Sequence, residues 1–362
     1  MTHHRQARAW LLALLALLAG CSATTGIGVK DVPYPTVRSS WAQAGITDAR
    51  QPFSAVFCRH LQATPATAMQ DCARWWWPIE AGAAHAIDLP SPDPLPATRD
   101  LVIIPGIFGE CVARWVTPFS QDHAALAALG YRVTVAEVEG HASSARNADH
   151  LHTLLAALPE DAHAVIIAYS KGATDVMLAA SQPQAAAWRH KVSALIAVAG
   201  AVQGSPAADD GHTLYRDLAR FDLPTCKRSD AGGVRSLTHA EAMRVADAFA
   251  ASRPPFPSYS VVAVAERGNV NPLLAGAHAW LSLIDARNDG QVLLEDAVIP
   301  GSTVLGVFRA DHWSIALPFE DSPAPLMRPF RGNNHFPRGP LVRALLEFTA
   351  PVAASRVTTK EE

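Results

Sequence analysis

The stretch Ala164-Val-Ile-Ile-Ala-Tyr-Ser170-Lys-Gly172-Ala decides the fold. Residues 164–169 carry no charge and include β-branched members, so they read as a strand buried on both faces. The run ends on a serine, a glycine follows two positions later, and the residues to Ser181 carry a helix pattern. Strand, sharp turn and helix in immediate succession strain the backbone at the serine and bring strand and helix close together, so small residues must flank it. Ala168 and Gly172 supply them. A serine so placed sits at a helix N-terminus, where free N–H groups favour negative charge. The alternative is a plain strand-to-helix turn with a capping serine.

Outward from this turn, short apolar runs alternate with helix-like stretches. The strands expected are Leu101–Ile104, Tyr131–Ala136, Ala164–Tyr169, Ser193–Ala199, Tyr259–Ala265 and Val304–Phe308. The helices expected are Thr117–Leu129, Ala145–Ala157, Gly172–Ser181, Thr238–Ser252 and Gly339–Thr349. Strands separated by helices imply an α/β fold, a mostly parallel sheet with helices on both faces. Chemistry in such sheets gathers beyond the carboxyl ends of the strands. Residues 205–257 are longer than a simple crossover and read as a cap or lid insertion.

A serine hydroxyl is a weak nucleophile at neutral pH and needs a base within hydrogen-bond reach. His312 lies four residues past the run ending at Phe308, where a base on a strand-end loop would sit. His335, just before the last helix, is the alternative, expected to be structural. For the acid, Asp289 precedes Gly290 in a turn, while Asp285 ends an apolar run and is expected to brace the loop. The order serine, acid, histidine is that of a strand–turn–helix nucleophile and its partners. An oxyanion formed at Ser170 needs two N–H donors. The Lys171 amide is one, with its side chain expected to point to solvent. The other comes from Pro105-Gly-Ile-Phe-Gly109, with Ile107 at the donor position and Phe108 if the loop shifts by one.

These motifs resemble those of bacterial triacylglycerol lipases and their esterase relatives, members of the α/β-hydrolase fold. Asn288-Asp289-Gly290-Gln-Val292 is similar to their acid turn, and 312 − 289 gives a similar interval of 23 residues to the base. Ala199-Gly-Ala-Val-Gln-Gly204-Ser205-Pro206-Ala-Ala-Asp209 is similar to the stretch that follows the next strand in that family. The loop at Pro105 departs from theirs at its first residue, and Ala168 replaces a glycine. The likeness spans about residues 100–349 and implies a carboxylic ester hydrolase working through an acyl-enzyme, with an apolar acyl group on the substrate. Acyl transfer, thioester hydrolysis and polyester cleavage use the same triad. A non-catalytic envelope lipoprotein that uses the scaffold for binding is a different class of reading. No ligands matching the family's calcium site are evident, and neither metal nor cofactor is expected.

The ends of the chain point to a compartment. Arg5 and Arg8 precede an apolar run too short to span a membrane, which reads as a signal peptide over residues 1–20. It ends in Leu18-Ala19-Gly20-Cys21, which resembles the lipobox of bacterial lipoproteins, so Cys21 is expected to carry a lipid anchor in the cell envelope. By resemblance to the sorting pattern of such lipoproteins, Ser22, rather than Asp, favours the outer membrane. Residues 21–98 read as a tether and N-terminal extension, with Pro-rich 88–98 as a boundary. Residues 99–352 form the catalytic domain and 353–362 a tail. The four remaining cysteines, Cys58, Cys72, Cys111 and Cys226, suggest two disulfides in an oxidising compartment. Of three pairings, Cys58–Cys72 with Cys111–Cys226 is preferred, and free buried thiols are the alternative. A net charge of −3 with no block of like charge gives no footprint for nucleic acid. Trp75–Trp77 are expected to pack rather than wedge into a membrane, His141 and Asp175 to be structural or to support the catalytic groups rather than act themselves, and Asp209 and Asp210 to cap the insertion.

Overall fold

The computed structural model describes residues 45–77, 99–211 and 229–357, the stretch after 350 in backbone only. The signal segment, Cys21, the tether and residues 88–98 lie outside the described residues, as does Cys226. No described helix is long and apolar enough to cross a membrane.

Seven strands form one parallel sheet: β1 (Thr47–Asp48), β2 (Arg99–Ile104), β3 (Tyr131–Val135), β4 (Ala164–Tyr169), β5 (Val192–Val198), β6 (Ser258–Val264) and β7 (Thr303–Arg309). Their spatial order is β1-β7-β6-β5-β4-β2-β3. All six strands expected from sequence are present, with ends within two residues. Because every pairing is parallel, the ends of β2, β4, β6 and β7 reach the same rim. That rim therefore receives Pro105, Ser170 and the loops holding residues 289 and 312.

The main helices are α1 (Arg50–Ala63), α2 (His123–Ala128), α3 (Ser144–Ala156), α4 (Lys171–Ser181), α5 (His239–Ser252), α6 (Ala275–Leu281) and α7 (Arg338–Val357). Alternation along the strands sorts them into two layers. Leu101, Ile103, Val165 and Ile167 face a core with Phe53 and Phe57 of α1 and Leu341 and Leu345 of α7. Val102, Ile104, Ile166 and Ala168 face the other core, with Leu151 of α3, Val176 of α4 and Phe249 of α5.

Several boundaries differ from expectation. The helix expected over Thr117–Leu129 is confined to α2, after a 3₁₀ turn at Ser120–Asp122. Phe119 adopts a left-handed conformation at φ 58°, and its N–H donates to the Ala316 carbonyl at 2.9 Å, so the backbone there serves a tertiary contact. Within the expected insertion 205–257, residues 212–228 lie outside the described residues. Its later part is α5, which covers the sheet beside α4 and buries Val245, Ala246 and Phe249. The helix α7 continues into the segment read as a tail.

The described part of the N-terminal extension is woven into the domain. It supplies the edge strand β1 and helix α1. Cys58 and Cys72 form a disulfide with Cα atoms 5.5 Å apart across 14 positions, a loop whose closure stabilises by about 3 kcal/mol in the chain-entropy description. Cys111 is also disulfide-bonded, while its expected partner Cys226 lies outside the described residues. The tryptophan run is buried, as expected of packing. Trp76 lies tilted against Phe308 at 4.4 Å between ring centroids, and the Trp77 indole N–H donates to the Val264 carbonyl at 3.2 Å.

Phe57 joins this extension to the sheet: it is fully buried, with Trp76, Phe308 and Phe336 at ring-centroid distances of 5.5, 5.1 and 6.4 Å. Phe57→Ala is expected to cost about 3–5 kcal/mol, because Phe308 on β7 and the buried rings packed on it leave a cavity that closes only in part. Urea unfolding followed by tryptophan fluorescence checks this.

Candidate active site

Ser170 follows the last residue of β4 and precedes the first residue of α4, with φ 54° and ψ −125°. A non-glycine residue at positive φ costs on the order of 1–3 kcal/mol unless its surroundings hold it there. Here they do. The Ser170 N–H donates to Val198 O at 3.2 Å, and its carbonyl accepts from Ala173 at 3.1 Å and Ala201 at 3.2 Å. Gly172 is required by close approach, since a Cβ there would lie 2.6 Å from Ile104 O and 2.8 Å from Pro105 O. Gly106 is required on the other side, since its Cβ would lie 2.7 Å from Ser170 Cβ.

The structure brings Ser170, His312 and Asp289 together. The Ser170 hydroxyl lies 2.8 Å from His312 Nε2, and His312 Nδ1 lies 2.7 Å from Asp289 Oδ2. An ionised carboxylate only accepts, so Nδ1 carries the proton toward Asp289 and Nε2 is free to accept from the serine. Ser170, Asp289 and His312 are 3%, 1% and 1% exposed, so water competes little for these hydrogen bonds.

The acid turn is built by its own backbone. Asp289 Oδ1 accepts from the N–H groups of Gln291 at 2.8 Å and Val292 at 2.7 Å. The Asp289 carbonyl accepts from the His312 N–H at 2.9 Å, tying acid and base loops directly. Asn288 donates to the Asp285 carbonyl at 3.0 Å, and the Asp285 side chain is paired with Arg287. Asp285 is therefore a brace, as its place in sequence indicated.

Two residues beside His312 escaped the sequence reading. The Tyr169 hydroxyl donates to the His312 carbonyl at 2.8 Å, and its ring lies 5.3 Å from the imidazole. Burial pushes its pKa well above 10.0, helped by the Asp289 and Asp311 charges, so it remains a donor. Asp311, the neighbour of His312, accepts from the backbone N–H groups of Asn271, Trp313 and Ser314 at 2.9, 3.0 and 2.8 Å. Burial raises its pKa, opposed by those hydrogen bonds. The Asp311-His312 adjacency was visible in sequence, but nothing local told which way each side chain turns.

At the loop after β2, the Phe108 N–H donates to the Gly140 carbonyl at 3.4 Å, which engages this alternative donor elsewhere. The Ile107 amide makes no backbone hydrogen bond among the described residues. The Lys171 amide opens α4, where first-turn N–H groups lack intrahelical acceptors. The Lys171 side chain does not point to solvent: it is 1% exposed and its ammonium lies 2.6 Å from Asp175 Oδ1. The expectation failed because a long cationic side chain is ordinarily outside, and the carboxylate that compensates it is one helical turn away. His335 lines a separate polar cavity of about 240 Å³, with Arg74, Arg309 and Asn334. None of the triad residues lines that cavity.

A strained serine whose hydroxyl meets an imidazole and then a carboxylate, at the carboxyl rim of a parallel sheet, defines an α/β-hydrolase of the serine type. No protein-family model matches the sequence, and no curated protein matches it. Among solved structures, the chain is similar to the metagenomic carboxyl esterase MGS0156, with 30% identity and a TM-score of 0.76 over 93% of this chain and 99% of that one. It is also similar to the Bacillus licheniformis lipase BlEst2 in its propeptide form, at 21% identity and a TM-score of 0.50 over 62% of this chain and 49% of that one. The second likeness speaks to the fold alone. The chain belongs to the α/β-hydrolase family, among its esterases, and is a carboxylic ester hydrolase.

The acid loop is also held from outside. Asp209 accepts from the His239 N–H at 2.9 Å at the start of α5 and meets its Nδ1 at 2.5 Å, while His239 Nε2 lies 3.2 Å from Asp296. Ser205 donates to the Gln291 carbonyl at 2.5 Å. Burial alone would lower the His239 pKa below 6.5, but the hydrogen bonds and charges of Asp209 and Asp296 outweigh it and the pKa is raised. A raised folded value means that the stabilisation is complete below the unfolded value and fades as pH rises through the folded one. The margin by which the wild-type unfolding midpoint exceeds that of His239→Gln is therefore expected to shrink as pH rises from about 6 to 8. Parallel curves for the two proteins over that range would contradict this.

Proposed function

We propose that Ser170 is the nucleophile of this ester hydrolase, with His312 as base and acid, Asp289 as its orienting carboxylate, and the Ile107 and Lys171 amides as oxyanion donors. The observation that supports it is the unbroken hydrogen-bond path from Ser170 Oγ through His312 to Asp289, at 2.8 and 2.7 Å.

His312 Nε2 takes the hydroxyl proton as Ser170 Oγ bonds to the ester carbonyl carbon. The carbonyl oxygen gains negative charge, which the two amides receive. Each such donor is worth about 2.7–4 kcal/mol of barrier. The imidazolium stays beside the Asp289 carboxylate, which keeps its negative charge, and then gives its proton to the departing alcohol. Water, deprotonated by His312, attacks the acyl-serine; a second tetrahedral species collapses to the acid and free Ser170. A substrate with an apolar acyl group fits the surroundings. Ile107 packs against an apolar cluster that includes Leu237, Val262 and Val292. A binding-only role has no observation in its favour.

Ser170→Ala is expected to lower kcat on p-nitrophenyl butyrate by about a millionfold and to abolish fluorophosphonate labelling, and Asp289→Asn by about ten-thousandfold. Undiminished hydrolysis by folded Ser170→Ala would refute the assignment.

We also place the chain on a membrane of the cell envelope, through an acylated Cys21. Its support is the apolar run and the Leu18-Ala19-Gly20-Cys21 tetrad. Expression with a radiolabelled fatty acid in a Gram-negative host should label the protein, and Cys21→Ser should release it unlabelled into the aqueous fraction. Equal labelling of both would rule the anchor out.

A further inference from the structure

We infer that Lys171, Asp175 and Asn147 are positioning residues that fix the separation of the two oxyanion donors, an inference that rests on the assignment of those donors to Lys171 and Ile107. The Lys171 ammonium donates to Asp175 Oδ1 at 2.6 Å within α4. The other Asp175 oxygen accepts from Asn147 Nδ2 of α3 at 2.7 Å. Asn147 grips the Glu139 backbone from both sides: its Oδ1 accepts from the Glu139 N–H at 3.0 Å, and its Nδ2 donates to the Glu139 carbonyl at 3.1 Å. The next residue, Gly140, donates to the Glu110 carboxylate and accepts from the Phe108 N–H at 3.4 Å. Phe108 follows Ile107 directly and is held at φ 61°. The path runs from the side chain of one donor residue to the peptide neighbour of the other.

Helix stability does not account for this arrangement. A cation in the first turn of α4 opposes the helix dipole, and Lys171, Asp175 and Asn147 are each 1% exposed. An ammonium so deeply buried must keep its carboxylate, which pins the Lys171 side chain to one place. Asn147 has a donor pair and an acceptor, and all of them are engaged, so its orientation is unique. Fixed at both ends, the relay transmits the position of α4 to the loop after β2. Preorganised donors stabilise the oxyanion only when both point at it, so loosening the relay weakens transition-state binding while leaving ester binding nearly unchanged.

The test compares wild type, Lys171→Met/Asp175→Asn and Asn147→Ala. The double variant removes the charge pair but leaves an acceptor for Asn147; Asn147→Ala leaves the pair and cuts the link to Glu139. For each variant that shows a cooperative thermal transition, kcat on p-nitrophenyl butyrate is expected to fall about 10- to 100-fold with KM within about twofold, as for a small misplacement of catalytic groups. Affinity for phenylboronic acid, which forms a tetrahedral adduct on Ser170, should fall by the same factor. Folded Asn147→Ala with kcat and boronate affinity within about twofold of wild type would overturn the relay, whether or not the double variant folds. A rise in KM with unchanged kcat would do so too. Wild type and Ser170→Ala run alongside: loss of boronate binding in Ser170→Ala upholds Ser170 as the nucleophile whose oxyanion those amides receive, so failure of that reading and failure of the relay are told apart.

Discussion

The backbone of Ser170 is the constraint on which the site depends. Its positive φ is tolerated because β4 and α4 cross the end of β2 with no room for a side chain at residue 172. The same closeness leaves no space for a Cβ at residue 106, which brings the loop after β2 against the serine. One steric requirement thus creates three things together: a hydroxyl turned toward His312, a helix N-terminus behind it, and a second loop with amides nearby. The buried sheet residues on both faces, from Leu101 to Ala168, hold the crossing rigid. Strain at the serine is sustained by packing spread over two cores.

The histidine and carboxylate come from loops with little regular structure, so their precision has another source. Backbone N–H groups fix Asp289, the Asp289 carbonyl fixes the His312 backbone, and Tyr169, the residue just before Ser170, fixes the His312 carbonyl. The two loops and the elbow are thereby positioned against one another by groups that do not titrate near neutral pH. The imidazole can gain and lose a proton without its supports changing charge.

What was legible in the sequence was local. Strands buried on both faces appear as unbroken apolar runs; Ser170 and His312 follow closely on such runs, and the Asp-Gly turn between them, with the family resemblance, singled out Asp289 from Asp285. Burial of Lys171 was not legible, because it depends on a carboxylate one helical turn away and on Asn147 from another helix. The contribution of residues 45–77 was only partly legible. Phe53, Phe57 and Trp76 announce burial, but pairing a two-residue strand with β7 is a long-range event without local pattern. Helix α6 and the break at Phe119 were missed for the same reason: tertiary hydrogen bonds outweigh propensity over short segments.

Two carboxylates flank the imidazole in sequence or in space, Asp311 and Asp289, and only one can orient it. Asp311 is the immediate chain neighbour of His312, yet three backbone N–H groups occupy its oxygens, and burial raises its pKa despite them. Asp289 keeps Oδ2 for the imidazole because Gln291 and Val292 engage only Oδ1. The choice is therefore made by the distribution of N–H donors around each acid. The loop that carries Asn271 thus bears on the chain neighbour of His312: its backbone amide occupies one oxygen of the Asp311 carboxylate.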